Sequence, residues 1–374
     1  MGICNNCKPI LWLTVFLGLA GSEMSDLCGR LSAETRRLAH SKIWPVFEND
    51  STALFFYRGA ADSVRIAGDW SGRHPLPMGY DSIAGLWFRR ETLHPTARVD
   101  YKLIVNDEWM LDPRNPRTCA GGFGPNSELA MPRYQAPSEI NPRAGVPNGT
   151  LSETTLFSRA LDERRTVQIY FPAGYESHAD LPLALLLDGG EFLALASAQT
   201  VLDNLIADRL IEPLIAVFET PHNRMEEYGG KPDEPFERYL LDELLPVIEG
   251  SARISKTAGR RAIIGVSLSA AYAAQFAYLH PEQFGCCAAF SPAFWYDGRR
   301  IFELFKEGEA RSLRVYLDRG AYEGASIAVA DSVRDLLLAK GYDFRWNLWY
   351  EGHSWGNWRA HLDEALQYFF PAER

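Results

Sequence analysis

Clustered positive charge is what this sequence most conspicuously lacks. Its 38 Lys and Arg are outnumbered by 48 Asp and Glu, for a formal net charge of −10, and no Lys/Arg cluster forms anywhere along it. Proteins that grip a phosphate backbone depend on such clusters to release counterions, so a nucleic-acid partner is not expected. Metal-ligand spacing is missing too. No Cys-x-x-Cys pair is matched by a second pair or by spaced histidines, which removes support for a structural zinc site. The apolar run from Ile10 to Gly21 is too short for a membrane span of ~20 residues. Preceded by Lys8 and followed by Ala20, Gly21 and Ser22, it has the form of a secretory leader over residues 1–22, with an uncleaved anchor as the alternative. The expected location is therefore periplasmic or secreted, or cytoplasmic if the run is no signal, and any membrane association would be through that leader alone.

Cysteine is sparse, with 6 in 374 residues. Cys4 and Cys7 would leave with the leader, and Cys286 and Cys287 sit in an apolar segment where small thiols pack inertly. Cys28 and Cys119 remain, and an oxidising compartment would let them pair, although nothing in the sequence tests the geometry.

What is present is enough for two cores. A chain of 374 residues, 47% hydrophobic and 23% charged, matches two ordinary globular domains. After the leader, residues 23–130 carry short alternating strands at Ala53–Tyr57, Ser63–Ala67, Leu86–Thr92, Arg98–Val105 and Trp109–Leu111, the pattern of an all-β, immunoglobulin-like sandwich. Residues 131–150 are rich in Pro and Gly with little periodicity and read as a linker. Residues 151–374 alternate apolar strands (Val167–Phe171, Leu183–Leu187, Leu214–Phe218, Ala262–Ile264, Cys286–Phe290, Leu313–Leu317, Phe344–Tyr350) with helical stretches (Ala198–Leu210, Phe236–Ile248, Leu268–Tyr278, Ser326–Ala339, Arg359–Phe369). That alternation predicts an α/β fold with a mostly parallel central sheet, whose ligand site lies at the carboxyl ends of the strands.

At one such strand end stands Gly265-Val266-Ser267-Leu268-Ser269-Ala270. A strained strand-to-helix turn that lifts a serine hydroxyl above the sheet needs small residues two positions to either side. Gly265 meets that demand, while Ser269 holds a place usually taken by glycine. A serine nucleophile needs a general base, which in this fold class follows in sequence, on the loop after the last strand. Of the late histidines, His280 sits at a helix end and His361 inside the last helix, leaving His353 in Glu351-Gly352-His353-Ser354-Trp355. The carboxylate that fixes the imidazole tautomer is expected after the strand ending at Leu317. Asp318 and Glu323 are both candidates there, and Glu323, farther into the loop, has the greater freedom to reach across. Acyl transfer also asks for two backbone N–H groups aimed at the oxyanion. Leu268 supplies one, and Gly190 or Glu191, in Leu187-Asp188-Gly189-Gly190-Glu191-Phe192, the other. A triad needs neither metal nor organic cofactor, and none is expected.

Together, Leu185-Leu186-Leu187-Asp188-Gly189, Arg224-Met225-Glu226-Glu227-Tyr228, Glu243-Leu244-Leu245-Pro246, Gly265-Val266-Ser267-Leu268, His280-Pro281-Glu282-Gln283-Phe284-Gly285 and Gly352-His353 with Trp358-Arg359 resemble the enterochelin esterase family, within the broader esterase D and feruloyl-esterase group. The resemblance implies an α/β-hydrolase whose Ser-His-acid site includes Ser267 and His353, with Arg224 and Glu227 near a small-molecule ester. Arg224 would then meet an anionic siderophore, or else form a merely structural pair with Glu227. A second reading is a feruloyl or acetyl esterase acting on plant polysaccharide. Phe294, Trp295 and Trp355 could stack on an aromatic acid of either substrate. A third reading is an inactive relative that only binds. Val64-Arg65-Ile66-Ala67-Gly68-Asp69-Trp70 and Tyr101-Lys102-Leu103-Ile104-Val105, with Trp109 and Asp112-Pro113, resemble the early-set sandwich that precedes such esterases and the glycogen-binding type modules. The chain departs from the family at Ser269-Ala270 and at Glu351-Gly352-His353-Ser354.

Overall fold

The structure is a computed structural model that describes residues 31–229, 234–324 and 329–372. The expected leader, Cys4, Cys7 and the proposed partner Cys28 lie outside the described residues, while Cys119 is a buried free thiol.

The first part of the chain forms two antiparallel sheets. One contains β1 (Val46–Asn49), β2 (Thr52–Tyr57), β5 (Gly79–Asp81) and β6 (Leu86–Thr92), in the order β1-β2-β6-β5. The other contains β3 (Val64–Gly68), β4 (Leu76–Pro77), β7 (Arg98–Val105), β8 (Glu108–Met110), β9 (Thr118–Cys119) and β10 (Asn126–Ala130), in the order β4-β3-β7-β10-β9 with β8 paired to β7. Alternate residues of facing strands, including Ala53, Phe55, Val64, Ile66, Val99, Tyr101 and Leu103, share one core between the sheets. This is the period-2 burial that the sequence pattern demands. The outward side chains Leu54, Phe56, Leu86 and Phe88 form a second cluster with Leu31, Ala39 and Trp44, which flank the helix Ala33–Leu38 ahead of β1.

The second part is a single eight-stranded sheet of β11 (Thr150–Ser158), β12 (Glu163–Phe171), β13 (Leu183–Leu187), β14 (Ile215–Glu219), β15 (Arg261–Val266), β16 (Cys286–Phe290), β17 (Arg314–Gly320) and β18 (Asp343–Trp349), in the order β11-β12-β14-β13-β15-β16-β17-β18. From β14 onward neighbours are parallel, and β11 and β12 add an antiparallel edge. The sheet is thus mixed, and mostly parallel as expected. Every residue of β13, β14, β15 and β16 is buried because helices cover both faces. Leu185, Ile263, Cys287 and Val315 pack one way, with Leu268–Leu279 and Val329–Ala339. Leu186, Ile264, Cys286 and Tyr316 pack the other way, with Ala198–Ala207 and Trp355–Phe369.

Between the two parts the chain is not free. Residues 131–150 hold a short 3₁₀ helix, Ser138–Ile140, and this stretch is pinned by the buried Asn204, whose Nδ2 donates to the carbonyls of Glu139 (2.8 Å) and Asn141 (2.9 Å). β11 lay unread in the sequence because Thr150–Ser158 is mostly exposed and carries no apolar face.

Candidate active site

β15 ends in the tight turn that the glycine pattern foretold. Ser267 sits at φ 57°, ψ −115°, a sparsely populated conformation for a residue with a Cβ, and the helix Leu268–Leu279 begins at once. A Cβ on Gly265 would lie 2.4 Å from the backbone carbon of Ser269, so strand and helix pass too closely for any side chain there. Ser269 keeps its hydroxyl by employing it: the Oγ–H lies 2.7 Å from Asp188 Oδ2 and 2.9 Å from the Val266 carbonyl, and the oxygen accepts the Val266 N–H.

His353 arrives on the loop after β18 and places Nε2 2.8 Å from Ser267 Oγ. Its ring stands edge-on to Trp358, with centroids 5.0 Å apart, which limits its rotation. Behind it the Glu323 carboxylate is fully buried, with Oε2 3.4 Å from His353 Nδ1. Among the described residues neither atom has another hydrogen-bond partner, and at that separation they face one another just beyond a good hydrogen bond. The other oxygen, Oε1, is fixed by donors from Ser291 Oγ (2.5 Å) and the Gly320 N–H (3.0 Å).

Asp318, the other acid candidate, is occupied elsewhere. It accepts the Ser291 N–H (3.1 Å), Trp349 Nε1–H (3.2 Å) and Tyr316 O–H (3.2 Å), and burial pushes its carboxyl up to about 7. The folded chain then holds a proton on Asp318 between about pH 4 and 7 that the unfolded chain has released, so this group's contribution to stability shrinks as pH rises through that window. An Asp318→Asn variant is expected to lose less melting temperature than the parent between about pH 4.5 and 7.5; parallel curves would contradict the assignment.

The remaining sequence candidates divide. Arg224 lies beside the elbow, donating Nε and Nη2 to the two oxygens of Asp188 (2.8 Å each) and Nη2 to the Val266 carbonyl (3.1 Å). It is not paired with Glu227, which removes the purely structural pair from the two alternatives for Arg224. Glu227 itself is no wall of the cavity. It is buried and held by Arg165 at 3.0 Å, and its Oε1 accepts the N–H groups of His222 and Asn223 (2.9 Å each), at the start of the six-residue helix Arg224–Gly229. Trp295 is 46% exposed and lies apart from the residues lining the cavity, whereas Trp355 lines it. The Gly190 amide donates to Thr220 Oγ1 (2.9 Å) and the Glu191 amide to the Asp188 carbonyl (3.0 Å), so both expected second donors are already engaged. Leu268, first residue of its helix, has no carbonyl one turn earlier to bond within that helix.

These groups open into a cavity of about 610 Å³ walled on one side by Ser267, His353, Arg224, Glu191, Trp355 and Trp358. The opposite wall comes from the sandwich, through Arg73, Asp100, Lys102, Trp109 and Phe123. Sequence reasoning assigned no site role to that second wall. One signal was available: Phe123 stands in the run Gly121-Gly122-Phe123-Gly124, an apolar ring in a glycine loop with no core to fill, and it is fully exposed. Ser291 and Asn357, which surround Glu323, carried no sequence signal.

Residues 158–369 match the esterase family model described as "Putative esterase". Iron(III) enterobactin esterases of two Escherichia coli strains are 30% identical over 303 residues, covering 73% of this chain and 74% of theirs. The crystal structure of the enterobactin esterase of Shigella flexneri, determined in the presence of enterobactin, superposes with a TM-score of 0.75 at 23% identity, over 89% of this chain and 97% of that one. A ferulic acid esterase of Anaeromyces mucronatus shares the fold at a TM-score of 0.55 and 19% identity, over 63% of this chain and 96% of its own. The chain therefore belongs to the esterase family, within its enterochelin esterase-like group, and is an ester hydrolase.

Proposed function

We propose that this chain cleaves the carboxylic ester bonds of an anionic, aromatic substrate of the catecholate-siderophore kind through Ser267, His353 and Glu323. The observation that carries the reading is the 2.8 Å contact between Ser267 Oγ and His353 Nε2, with the Glu323 carboxylate aligned behind the ring. His353 takes the hydroxyl proton as Oγ attacks the ester carbonyl, and Glu323 holds the ring and stabilises the imidazolium. The oxyanion forms against the Leu268 N–H, at the positive end of a 12-residue helix. His353 then returns the proton to the departing alkoxide, leaving an acyl-serine. Water, deprotonated by the same imidazole, releases the acid and restores the serine.

The cavity supports an anionic aromatic ligand. Lys102 makes no ion pair among the described residues, Arg73, paired with Asp69, lines the same cavity, and Trp109, Phe123 and Trp355 offer ring faces or edges. Polysaccharide feruloyl esterase is the alternative substrate reading. The ferulic acid esterase superposes over only 63% of this chain, whereas the cavity uses residues numbered from Arg73 to Trp358, which supports the siderophore reading. We also take residues 23–130 as an immunoglobulin-like early-set module and residues 151–374 as the hydrolase, and the run Ile10–Gly21 supports export.

The test is a direct comparison of substrates. Release of dihydroxybenzoylserine from its ferric cyclic triester is expected to exceed release of ferulate from methyl ferulate by about 10²-fold or more in kcat/KM, since a cavity whose Lys102 makes no ion pair among the described residues favours an anionic ligand over a neutral one. Faster release of ferulate would overturn the substrate assignment.

A further inference from the structure

The loop that carries His353 is gripped from outside the hydrolase sheet. Arg98, at the start of β7 and 1% exposed, donates its backbone N–H to the Tyr350 carbonyl (3.0 Å) and its Nη1–H to Ser354 Oγ (3.2 Å). Its guanidinium is itself aimed by Asp100 (2.8 Å) and Glu128 (2.6 Å). A Cβ on Gly352 would fall 2.0 Å from the Asp69 carboxyl carbon, and one on Gly356 would fall 2.0 Å from Arg98 Nη1. The segment on both sides of His353 thus lies directly against sandwich side chains. The acid's loop is held in the same way: Tyr322, the neighbour of Glu323, accepts the His94 N–H on its hydroxyl (3.0 Å) and packs on the sandwich core. His94 also stacks on Tyr350 at 3.4 Å between centroids.

We infer that Arg98 is a positioning residue for the hydrolytic step, so that the sandwich, through Arg98 and Ser354, sets the reach of His353 to Ser267. This rests on the Ser267–His353–Glu323 reading. Arg98 touches no reacting atom. It acts by removing freedom from a loop whose imidazole must stay within hydrogen-bond distance of a hydroxyl, a tolerance well under 1 Å. The link can be cut gently from the hydrolase side: Ser354 occupies the N-cap position of the last helix, yet its hydroxyl makes no cap hydrogen bond, so Ser354→Ala removes the Arg98 contact without uncapping that helix.

The experiment measures kcat and KM of the full chain on p-nitrophenyl acetate for Ser354→Ala, Arg98→Met and the double variant, with melting temperatures as the folding control. Each single variant is expected to lower kcat by about tenfold, with KM held within about twofold, because a base displaced by a fraction of an ångström slows chemistry and leaves binding alone. The double variant should fall no more than about twofold below the worse single, since both cut one link. A Ser354→Ala kcat within twofold of the parent, or losses that multiply in the double variant, overturns the inference. Should Arg98→Met fail to fold, the Ser354→Ala kcat decides alone. Labelling the parent with a fluorophosphonate separates the two levels. A parent labelled at Ser267 whose variants react normally sinks only the positioning role, whereas a parent unlabelled at Ser267 sinks the site reading beneath it.

Discussion

Alanine at position 267 is expected to lower kcat on a p-nitrophenyl ester by a factor on the order of 10⁶, leaving only the residual rate that backbone donors and binding give. The hydroxyl is the one group at the elbow that both meets His353 Nε2 and lines the cavity beside Arg224 and Trp355. The substitution should not unfold the chain. Alanine keeps the same Cβ at the same positive φ, so the backbone strain is unchanged, and the Ser267 backbone N–H still donates to the Phe290 carbonyl (2.9 Å). Parent and variant should therefore melt together while differing in turnover. A variant retaining more than about a thousandth of parental kcat would show that another group attacks the ester.

The second large effect belongs to Glu323. In Glu323→Gln the amide oxygen can keep the Ser291 and Gly320 donors, so the amide nitrogen would face His353 Nδ1. Two donors would then oppose each other, or the imidazole would flip to the tautomer that cannot accept the serine proton. A fall of about 10⁴ in kcat is expected, the scale of losing tautomer control in a triad. Asp318→Asn, changing a carboxylate already bound by Ser291, Tyr316 and Trp349, should stay within about tenfold of the parent, as expected of a supporting group rather than the triad acid. If the two variants exchanged behaviour, the acid would be Asp318.

Strands that satisfy one periodicity throughout were readable to the residue. Leu86–Thr92, Arg98–Val105, Leu183–Leu187 and Cys286–Phe290 stand where alternation or continuous apolarity placed them. The polar edge strand Thr150–Ser158 and the short helix Arg224–Gly229 escaped notice because neither buries a patterned face, and pattern is the signal that sequence offers. Within the site, the structure brings together Ser267, Glu323 and His353, which the sequence offered as nucleophile, acid and base from their chain order and strand-end positions. Of the two alternatives for Arg224, the pair with Glu227 falls away because ion partners from distant segments hold both residues, Asp188 on Arg224 and Arg165 on Glu227, and nothing local to either residue records them. The sandwich wall of the cavity was illegible, the exposed ring of Phe123 apart, for another reason: nothing local to Arg73 or Lys102 records which face of one unit will meet another.

The grip of Arg98 on the loop around His353 also has a bearing on how the molecule comes into being. Synthesis runs from Arg98 toward Ser354 through 256 positions of chain, so on the ribosome the clamp is made long before the histidine that it holds. Ser267 likewise emerges 86 positions ahead of His353, the base of the proposed triad. On that reading a nascent chain would carry its scaffold and its nucleophile while still chemically silent, and esterolysis could begin only once β18 had joined the sheet edge beside β17 and brought His353 to Ser267.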